Sequence, residues 1–468
     1  MHACFLDTRP ADAIPIIPVV EQNFSDDRNE WLSRQEPLRA RWLTTTGFKA
    51  KPGSHCLIPN ADGTLNAVVA GAASVGDLWA GGTLPTQLPA GSYYLDADWE
   101  ISAREQFAVG WGLGAYRFTR YKSAPDIEAK LAIDPACHAA AIESQVASAY
   151  LVRDLINTAA EDMMPEHLAE AIVTVAQDFG ATVTQIIGDD LLAKNYPTVH
   201  TVGRASRNAP RLIDLRWGNP EHPKVTLVGK GVCFDSGGLD IKPASGMRMM
   251  KKDMGGAAHA LGVARLVMQS ELPVSLRLLV PAVENAVSGE SFRPGDVITS
   301  RKGITIEVDN TDAEGRLILC DALAEGRSEA PEVMIDFATL TGAARVALGT
   351  DLPAMFTNSD AMANDLLSAA ETAQDPVWRM PLHRPYRKML DSKIADIANA
   401  ASVPFGGAIT AALFLQEFVE AGTDWAHFDI MAWNRSTQPG RPEGGEAMSM
   451  RAVYAYLQRR YGAAHLTE

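Results

Sequence analysis

The chain has 468 residues, of which 47% are hydrophobic and 21% charged, a composition typical of a globular protein with a full core. Its formal net charge of −15 argues against nucleic acid as a general partner, because binding to phosphates needs a basic surface. The five cysteines are scattered without a CxxC pair, so the sequence supports neither a disulfide framework nor a cysteine-type zinc site.

No segment of the chain has the pattern of a targeting signal or a membrane span. Met1 to Val20 carries Asp7, Asp12 and several prolines instead of a basic start followed by an apolar core, so no secretory signal is expected. Apolar runs stay shorter than the ~18 residues that a membrane span needs. The sequence therefore predicts a cytoplasmic protein that does not associate with membranes.

The N-terminal part, Met1 to about Arg120, consists of short apolar runs separated by Gly and Pro, which predicts a mixed α/β domain. Two of the runs predict strands, Asn66–Gly71 and Phe107–Gly112. No group of ionisable residues with catalytic or metal-ligand spacing occurs here. Small and apolar residues then recur at helical spacing from Ala136 to Ala160, which predicts a helix that connects two domains.

After a second helix, predicted from Glu166 to Phe179, strand and helix patterns alternate along the chain. This alternation predicts a central, largely parallel sheet with helices on both faces. The expected fold class is α/β, with a mixed N-terminal domain (1–133), a connecting helix (134–160) and a larger C-terminal α/β/α domain (161–468) that carries the chemistry. The strands expected there are Val183–Ile187, Arg211–Leu215, Lys224–Val228, Ser275–Val280 and Val333–Phe337, and the helices are Gly255–Gln269 and Ala408–Ala421.

Two carboxylates and a guanidinium stand in the segment Asn310–Leu317, between the predicted strand Ile304–Val308 and a predicted helix. Open α/β sheets place their chemistry at such turns. Arg316 stands where the helix begins, although a helix N-terminus favours negative charge. Considered alone, Asp312, Glu314 and Arg316 are equally compatible with a cluster of surface ion pairs.

A second ionisable cluster lies upstream, in the glycine-rich segment Val228–Asp253. Lys230 lies between two glycines at the end of a strand, Asp235 opens a Ser-Gly-Gly turn, and Lys242 precedes a proline. Glycines beside ionisable groups indicate tight backbone and close approach of another group. A Walker phosphate loop is rejected, because no Ser or Thr follows Lys230 and the required upstream glycine is missing. Exposed ion pairs would account for one such pair but not for the whole set.

Four carboxylates, those of Asp235, Asp253, Asp312 and Glu314, are expected to come together. Without metal, their mutual repulsion would raise their pKa values and destabilise the fold. Two divalent ions would neutralise them, and paired ions can ionise a water for hydrolysis. Oxygen ligands suit Mg or Mn, and Zn also accepts them. None of the 10 histidines falls in either cluster, and His259 is assigned to packing.

These two segments resemble the leucyl aminopeptidase (cytosol aminopeptidase) family. Asn310–Leu317 matches its NTDAEGRL signature, and Val228–Asp253 resembles its other metal-binding segment. The resemblance continues through Asp336–Gly342 and Gly406–Ala412 and covers about Tyr150 to the C-terminus. The first domain shows no such resemblance.

The resemblance implies a dinuclear metallo-aminopeptidase. Asp235 and Glu314 would bridge two divalent ions, which would be Zn or Mn, or alternatively Mg or Co. Asp312 would complete the first site, and Lys230 and Asp253 would complete the second. Lys230 would have to be neutral, which two adjacent cations would enforce.

The resemblance also implies roles in catalysis and substrate binding. Lys242 would stay charged and stabilise the gem-diolate at the scissile carbonyl. Arg316 would hold a bicarbonate that moves the proton of the attacking water. Substrates would be peptides with a free N-terminus, preferably with an apolar, leucine-like first residue. The pocket for that first side chain would be lined by Met250, Thr339, Leu340 and Gly342.

A homohexamer with active sites facing an inner cavity is the assembly that the resemblance implies. Two other functions stay open at this stage. One is a hexameric scaffold or nucleic-acid-binding regulator with secondary peptidase activity, against which the acidic charge and the intact set of ligands weigh. The other is a different metal hydrolase, such as a phosphoesterase, which would not require a free α-amine in its substrate.

Overall fold

The computed structural model describes residues 2–25, 30–419 and 421–462. The chain divides into two compact units, one formed by residues 1–150 with 434–443 and the other by residues 151–433 with 444–468. A long helix runs through the boundary, in the region where the sequence predicts a connecting helix. The last part of the predicted larger domain, residues 463–468, lies outside the described residues.

The N-terminal unit is built on a six-stranded sheet in the order β1-β6-β5-β2-β4-β3, in which all neighbours are parallel except β3 and β4. Its strands are β1 (Phe5–Leu6), β2 (Ile14–Val20), β3 (His55–Pro59), β4 (Leu65–Ala72), β5 (Gly91–Leu95) and β6 (Ala129–Ala132). The helices up to the unit boundary are α1 (Glu21–Ser25), α2 (Glu30–Ser33), α3 (Pro37–Thr45), α4 (Leu84–Gln87), α5 (Ile101–Gly114) and α6 (Ala139–Asn157).

One predicted strand of this unit is wrong: Phe107–Gly112 lies within helix α5. Every residue of that run is buried, so its apolar pattern has no period that separates a strand from a helix. Its glycines serve close packing. A Cβ on Gly110 would overlap the carbonyl oxygen of Leu78, and a Cβ on Gly114 would overlap that of Gly82.

The second unit contains a nine-stranded sheet in the order β16-β15-β18-β14-β9-β11-β8-β7, with β10 paired to β11. Its central pairs are parallel, and antiparallel pairs occur at β11–β8, β8–β7 and β15–β18. The strands after α6 are β7 (Thr182–Ile187), β8 (Arg211–Trp217), β9 (Lys224–Gly229), β10 (Gly231–Asp235), β11 (Ser275–Asn285), β12 (Val297–Thr299), β13 (Thr305–Glu307), β14 (Val333–Ala338), β15 (Ala354–Thr357), β16 (Trp378–Arg379), β17 (Ile397–Ala398), β18 (Asp424–Asp429), β19 (Trp433–Asn434) and β20 (Gly444–Gly445).

The helices that follow α6 are α7 (Pro165–Asp178), α8 (Asp190–Ala193), α9 (Pro197–Gly203), α10 (Ala244–Met247), α11 (Gly255–Gln269), α12 (Glu314–Gly326), α13 (Gly342–Leu348), α14 (Asp360–Ala373), α15 (Gly407–Gln416) and α16 (Met450–Tyr461). Helix α11 has the predicted bounds. The helix predicted over Ala408–Ala421 ends at Gln416, because the amides of Phe418 and Val419 bond three residues back and tighten the chain into a turn.

The sheet and its helices confirm the predicted α/β class with a larger C-terminal domain. Helix α12 is buried along its whole length, and nearly all of α11 is buried. Glycine permits this close packing, since a Cβ on Gly256 of α11 would overlap the carbonyl oxygen of Phe337 in β14. In the described part of the chain, no helix combines the length and apolar character needed to cross a bilayer.

Candidate active site

The predicted site residues converge at the carboxyl ends of neighbouring strands. Lys230 follows β9, Asp235 ends β10, and Thr339 follows β14. Strands β9 and β14 are parallel neighbours, so their ends meet at one edge of the sheet. That edge is where open α/β sheets bind ligands. The structure therefore brings together the two ionisable clusters that lie far apart in sequence.

Lys230 is almost fully buried and lies between two carboxylates. Its Nζ is 2.8 Å from Asp253 Oδ2 and 2.9 Å from Glu314 Oε1, and it donates a hydrogen bond of 3.0 Å to the carbonyl oxygen of Thr339. Burial alone would lower the pKa of Lys230, but the surrounding carboxylates outweigh burial and raise it. Within the protein alone, Lys230 supplies the positive charge that this acidic cluster needs.

Lys242 lies at the other side of the cluster. Its Nζ is 2.8 Å from Asp235 Oδ2 and also contacts Asp312 Oδ1. Burial lowers the pKa of Lys242, and the attraction of the carboxylates, Asp235 first, reverses that effect and raises it. The opposite oxygen of Asp235 accepts hydrogen bonds from the Gly237 amide and the Asn285 side chain, both at 2.9 Å.

The remaining ligand candidates are Asp253 and Glu314. Asp253 stands in a 3₁₀ turn before α11, and its Oδ1 accepts a 2.6 Å hydrogen bond from the Thr339 hydroxyl. Glu314 is the first residue of α12 and is 1% exposed. Burial, together with repulsion from Asp235, raises the pKa of Glu314 to about 8.

The acidic cluster fits a site for divalent ions. Asp235, Asp312 and Glu314 each offer a carboxylate oxygen, and these oxygens all lie within 4.8 Å of one another. Burial and the Asp235 charge raise the pKa of Asp312 to about 6. Oε2 of Glu314 is buried and accepts no hydrogen bond among the described residues. Mutual repulsion and an orphaned carboxylate oxygen are the features that bound cations would relieve.

Two asparagines that sequence reasoning missed hold the ligand-bearing loops. Asn285, at the end of β11, donates to Asp235 Oδ1 and, at 3.1 Å, to the carbonyl oxygen of Thr311. Oδ1 of Asn399 accepts from the backbone amides of Asp309 and Asn310. Side-chain amides of this kind satisfy turn backbone that no regular ladder covers. Their only sequence signal is a polar residue at the end of an apolar strand.

Arg316 is buried in the first turn of α12. Its Nη1 donates a 2.7 Å hydrogen bond to the carbonyl oxygen of Asn399, while its Nε has no hydrogen-bond partner among the described residues. Burial lowers the pKa of Arg316 to about 10, although Glu314 and Asp429 oppose that shift. A buried guanidinium with an unused donor can bind an anion.

A cavity of about 160 Å³ adjoins the acidic cluster. All four residues predicted to contact the first side chain line it, namely Met250, Thr339, Leu340 and Gly342. Lys230, Asp235, Lys242, Asp253 and Asp312 line it too. Two cations that the sequence analysis did not single out, Lys252 and Arg345, also line it. Burial lowers the pKa of Lys252 to about 8.

Asp429, at the end of β18, positions the loop that forms one wall of the cavity. Its Oδ1 accepts hydrogen bonds from the amides of Leu340 (3.0 Å) and Thr341 (3.2 Å), and its Oδ2 accepts one of 2.6 Å from the Thr341 hydroxyl. Sequence reasoning missed Asp429, which stands 89 residues after Leu340. The loop therefore takes its shape from a distant strand.

Buried carboxylates and lysines around a small cavity, at the carboxyl edge of a largely parallel sheet, are the arrangement of a metal-dependent hydrolase. Comparison with known proteins is more specific. Residues 150–454 match the catalytic domain of the cytosol aminopeptidase family, and residues 14–134 match the N-terminal domain of M17 aminopeptidases. The second match corrects the sequence analysis, which found no family resemblance in the first domain.

Curated relatives and solved structures agree with this assignment. The chain is 39% identical to a probable cytosol aminopeptidase of Rhodococcus opacus, over 75% of this chain and 73% of the relative. It is 41% identical to one of Neisseria meningitidis, over 72% and 74%. The crystal structure of cytosol aminopeptidase from Coxiella burnetii has a TM-score of 0.93 and 49% identity, covering 98% of this chain and 99% of that one.

A bottromycin maturation enzyme, BotP, described in complex with Mn, superimposes with a TM-score of 0.84 at 32% identity, covering 96% of this chain and all of that one. The chain belongs to the cytosol aminopeptidase family. It is therefore a metal-dependent aminopeptidase, a hydrolase that acts at the N-terminus of its substrates.

Proposed function

We propose that the chain releases N-terminal residues, preferably apolar and leucine-like, from peptides with a free α-amine. The observation that carries this proposal is the cavity of about 160 Å³ beside the acidic cluster. A cavity of ~150 Å³ holds one benzene molecule, so this one has room for a single side chain. Apolar groups of Met250, Leu340 and Met431 form part of its wall. One side chain can thus be held next to the bond that is cleaved.

The ion-binding residues proposed are those of the acidic cluster together with Lys230. Two divalent ions held there would acidify a water and polarise the scissile carbonyl. Manganese or zinc is favoured, and the manganese complex of the similar enzyme BotP supports manganese. The residues proposed to hold the ions are Lys230, Asp235, Asp253, Asp312 and Glu314.

Lys242 is proposed to stabilise the negative charge that develops on the carbonyl oxygen during attack. Its contacts support this role, since two carboxylates hold the ammonium in place and keep its pKa raised. The Lys242 side chain is 15% exposed and lines the cavity, so it can reach a substrate. A fixed, protonated donor needs no reorganisation as charge develops.

Arg316 is proposed to hold a bicarbonate ion, which would accept the proton of the attacking water. Its buried guanidinium and unpartnered Nε support binding of an anion. Helix α12 begins two residues earlier, so backbone N–H groups can share that anion. Arg316 would thereby contribute binding and orientation of a general base.

A kinetic panel tests the proposal. Leucine, phenylalanine, lysine and glycine p-nitroanilides would be compared after reconstitution with Mn, Zn, Mg and Co, together with N-acetyl-leucine p-nitroanilide. We expect cleavage of the free-amine leucine substrate and at least about 1,000-fold slower cleavage of its acetylated form, because a substrate that lacks a required polar partner is strongly rejected. Equal cleavage of both forms would rule out the proposed exopeptidase, and a preference for the lysine substrate would rule out the apolar specificity.

We further propose that the protein is cytoplasmic, in line with the names of its relatives, and that it assembles as a homohexamer, as the family resemblance implies. Analytical ultracentrifugation of the purified protein tests the assembly. Sedimentation as a monomer across the micromolar range would exclude a hexamer.

A further inference from the structure

Lys252 and Arg345 give the cavity two cations that the aminopeptidase chemistry described above does not use. Both line the cavity. The neighbouring lysine, Lys251, does not line it, because its Nζ donates to the carbonyl oxygen of Asn157. The two consecutive lysines thus have different environments: Lys251 bonds to the backbone, and Lys252 lines the cavity.

No carboxylate among the described residues forms an ion pair with either Lys252 or Arg345, whereas the other charges around the cavity are matched. Lys230 pairs with Asp253, and Lys242 pairs with Asp235. The Arg345 guanidinium makes a weak contact of 3.9 Å from Nη1 to the sulfur of Met431.

The position of Lys252 is unusual for an unmatched cation. It is only 5% exposed, and buried lysines are normally paired. The remaining acidic lining residue, Asp429, already accepts three hydrogen bonds from the Leu340–Thr341 loop. Because Lys252 borders the cavity, an anion bound in the cavity is the partner that could match its charge.

Arg345 lies beside the positions that would hold the first side chain. Its Nη2 is 3.5 Å from the place where a Cβ on Gly342 would stand. Gly342 and Met250 both line the same cavity as Lys252. The two cations therefore border the space proposed for the first side chain.

We propose that Lys252 and Arg345 form a subsite for the side-chain carboxylate of an N-terminal glutamate or aspartate. This inference rests on the proposed aminopeptidase function and widens its substrate class. The apolar wall, with Met250 and Leu340, takes the methylene groups of a glutamate as it takes a leucine side chain. The two cations then bind the terminal carboxylate, which a leucine lacks, by charge-assisted hydrogen bonds.

Substrates with a blocked C-terminus test this subsite, because their only carboxylate is that of the first side chain. The kcat/KM of glutamyl, glutaminyl and leucyl p-nitroanilides would be measured for the wild type and for Arg345→Met and Lys252→Met. We expect the wild type to cleave the glutamyl substrate faster than the glutaminyl one. Each variant should lower the glutamyl-to-leucyl ratio by about 10- to 100-fold, the usual effect of losing a hydrogen bond to a charged group.

Lys251→Met is the matched control, because it removes the same charge one residue away and outside the cavity. It should leave the glutamyl-to-leucyl ratio within about twofold of the wild type, because Lys251 does not line the cavity and a charge away from the bound side chain contributes little. Arg345→Met is the variant that keeps the test valid if Lys252→Met perturbs the adjacent Asp253, since Arg345 lies on a different element.

Equilibrium binding gives a readout that does not depend on turnover. Calorimetry should show that L-glutamate binds the wild-type protein more tightly than L-glutamine does, with an affinity that falls as salt is raised. Arg345→Met should abolish this difference. Unchanged glutamyl-to-leucyl ratios in both variants, or equal binding of glutamate and glutamine to the wild type, would overturn the subsite. Continued cleavage of the leucyl substrate would leave the proposed function intact in that case. Failure to cleave the leucyl substrate would instead overturn the proposed function.

Discussion

A Cβ on Gly315 would lie 2.6 Å from the Nζ of Lys230. No real Cβ tolerates that distance, so the glycine of the Asp312–Leu317 turn is what allows the lysine side chain to reach the acidic cluster. Helix α12 begins at Glu314, and its first turn therefore passes directly over Lys230. The segments Val228–Asp253 and Asn310–Leu317 therefore depend on each other in two ways: Gly315 packs against Lys230, and Lys230 pairs with Glu314.

Gly315→Ala tests this coupling. The new methyl group should push Lys230 away from Asp253 and Glu314, and a displacement of ~1 Å at a catalytic site can cost about 100-fold in rate. We expect kcat/KM for a leucyl substrate to fall by about that factor, with weaker metal binding by calorimetry. Gly289→Ala is the control, because a Cβ there meets nothing within 4 Å and the φ angle of Gly289 is not positive. Wild-type metal affinity and turnover in Gly315→Ala would show that the contact has no role.

The charged residues of the site could be predicted from the sequence because they lie in two short motifs with fixed spacing. The residues that hold those motifs could not. Asn399, Asn285 and Asp429 act through hydrogen bonds to loops 50 to 90 residues away in the chain. A single sequence shows which residues can be ligands, whereas the partners of loop backbone depend on strand order, which local pattern does not specify.

Bound divalent ions should stabilise the protein. Burial, together with repulsion from Asp235, raises the pKa values of Asp312 and Glu314 in the protein alone, and bound cations would offset both effects. Ligands that bind only the folded state add about 2.7 kcal/mol at 100 times their dissociation constant. We expect Mn or Zn to raise the thermal midpoint in a concentration-dependent way, and chelation to reverse the shift.

The metal effect should depend on Asp235 and not on a nearby exposed acid. Asp235→Asn removes a charge from the centre of the cluster, so its thermal midpoint should respond little to added metal. Asp309→Asn removes an exposed charge close to the Asp312 turn and should keep the wild-type response. An equal metal response in Asp235→Asn and the wild type would place the ions elsewhere.

Arg316→Met should lower turnover and leave metal content unchanged. Arg316 contacts the backbone of Asn399 and no ligand candidate forms an ion pair with it among the described residues. We expect kcat to fall by about 100-fold or more, within the range contributed by a positioned acid or base. Added bicarbonate should stimulate the wild type and leave the variant unaffected. Loss of both ions from Arg316→Met, measured by elemental analysis, would contradict its role as an anion holder.

Predictions of secondary structure failed where backbone packing overrides residue preference. Val and Trp favour strands, yet the run Phe107–Gly112 is helical. Gly110 has no Cβ, which lets the backbone at Leu78 pack directly against this helix. Strands β9 and β14 and helix α11 were predicted correctly. Each has apolar residues bounded by a clear break, so that local pattern and tertiary packing agree there.

His259 should make stability depend on pH. Its Nδ1 lies 2.6 Å from the Gly255 carbonyl oxygen, and its Nε2 accepts a 2.8 Å hydrogen bond from the Met448 amide. Protonation of Nε2 would turn it into a donor, and its N–H would then face the N–H of Met448 without an acceptor between them. Burial lowers the pKa of His259 to about 4, from 6.5 in the unfolded chain. The unfolded state therefore binds a proton first as pH falls, and the stability that His259 contributes is present above pH 6.5 and lost progressively toward pH 4.

The loss over that pH range should reach about 3 kcal/mol, from ~1.4 kcal/mol per unit of pKa difference. Urea unfolding of the wild type and His259→Gln at several pH values between 7.5 and 4.5 measures it. The stability difference between the two proteins should shrink as the pH falls, because glutamine does not titrate. His222→Gln, at a partly exposed position, is the control and should follow the wild-type pH dependence. A difference between wild type and His259→Gln that stays constant across this range would show that His259 is not held neutral by its two hydrogen bonds.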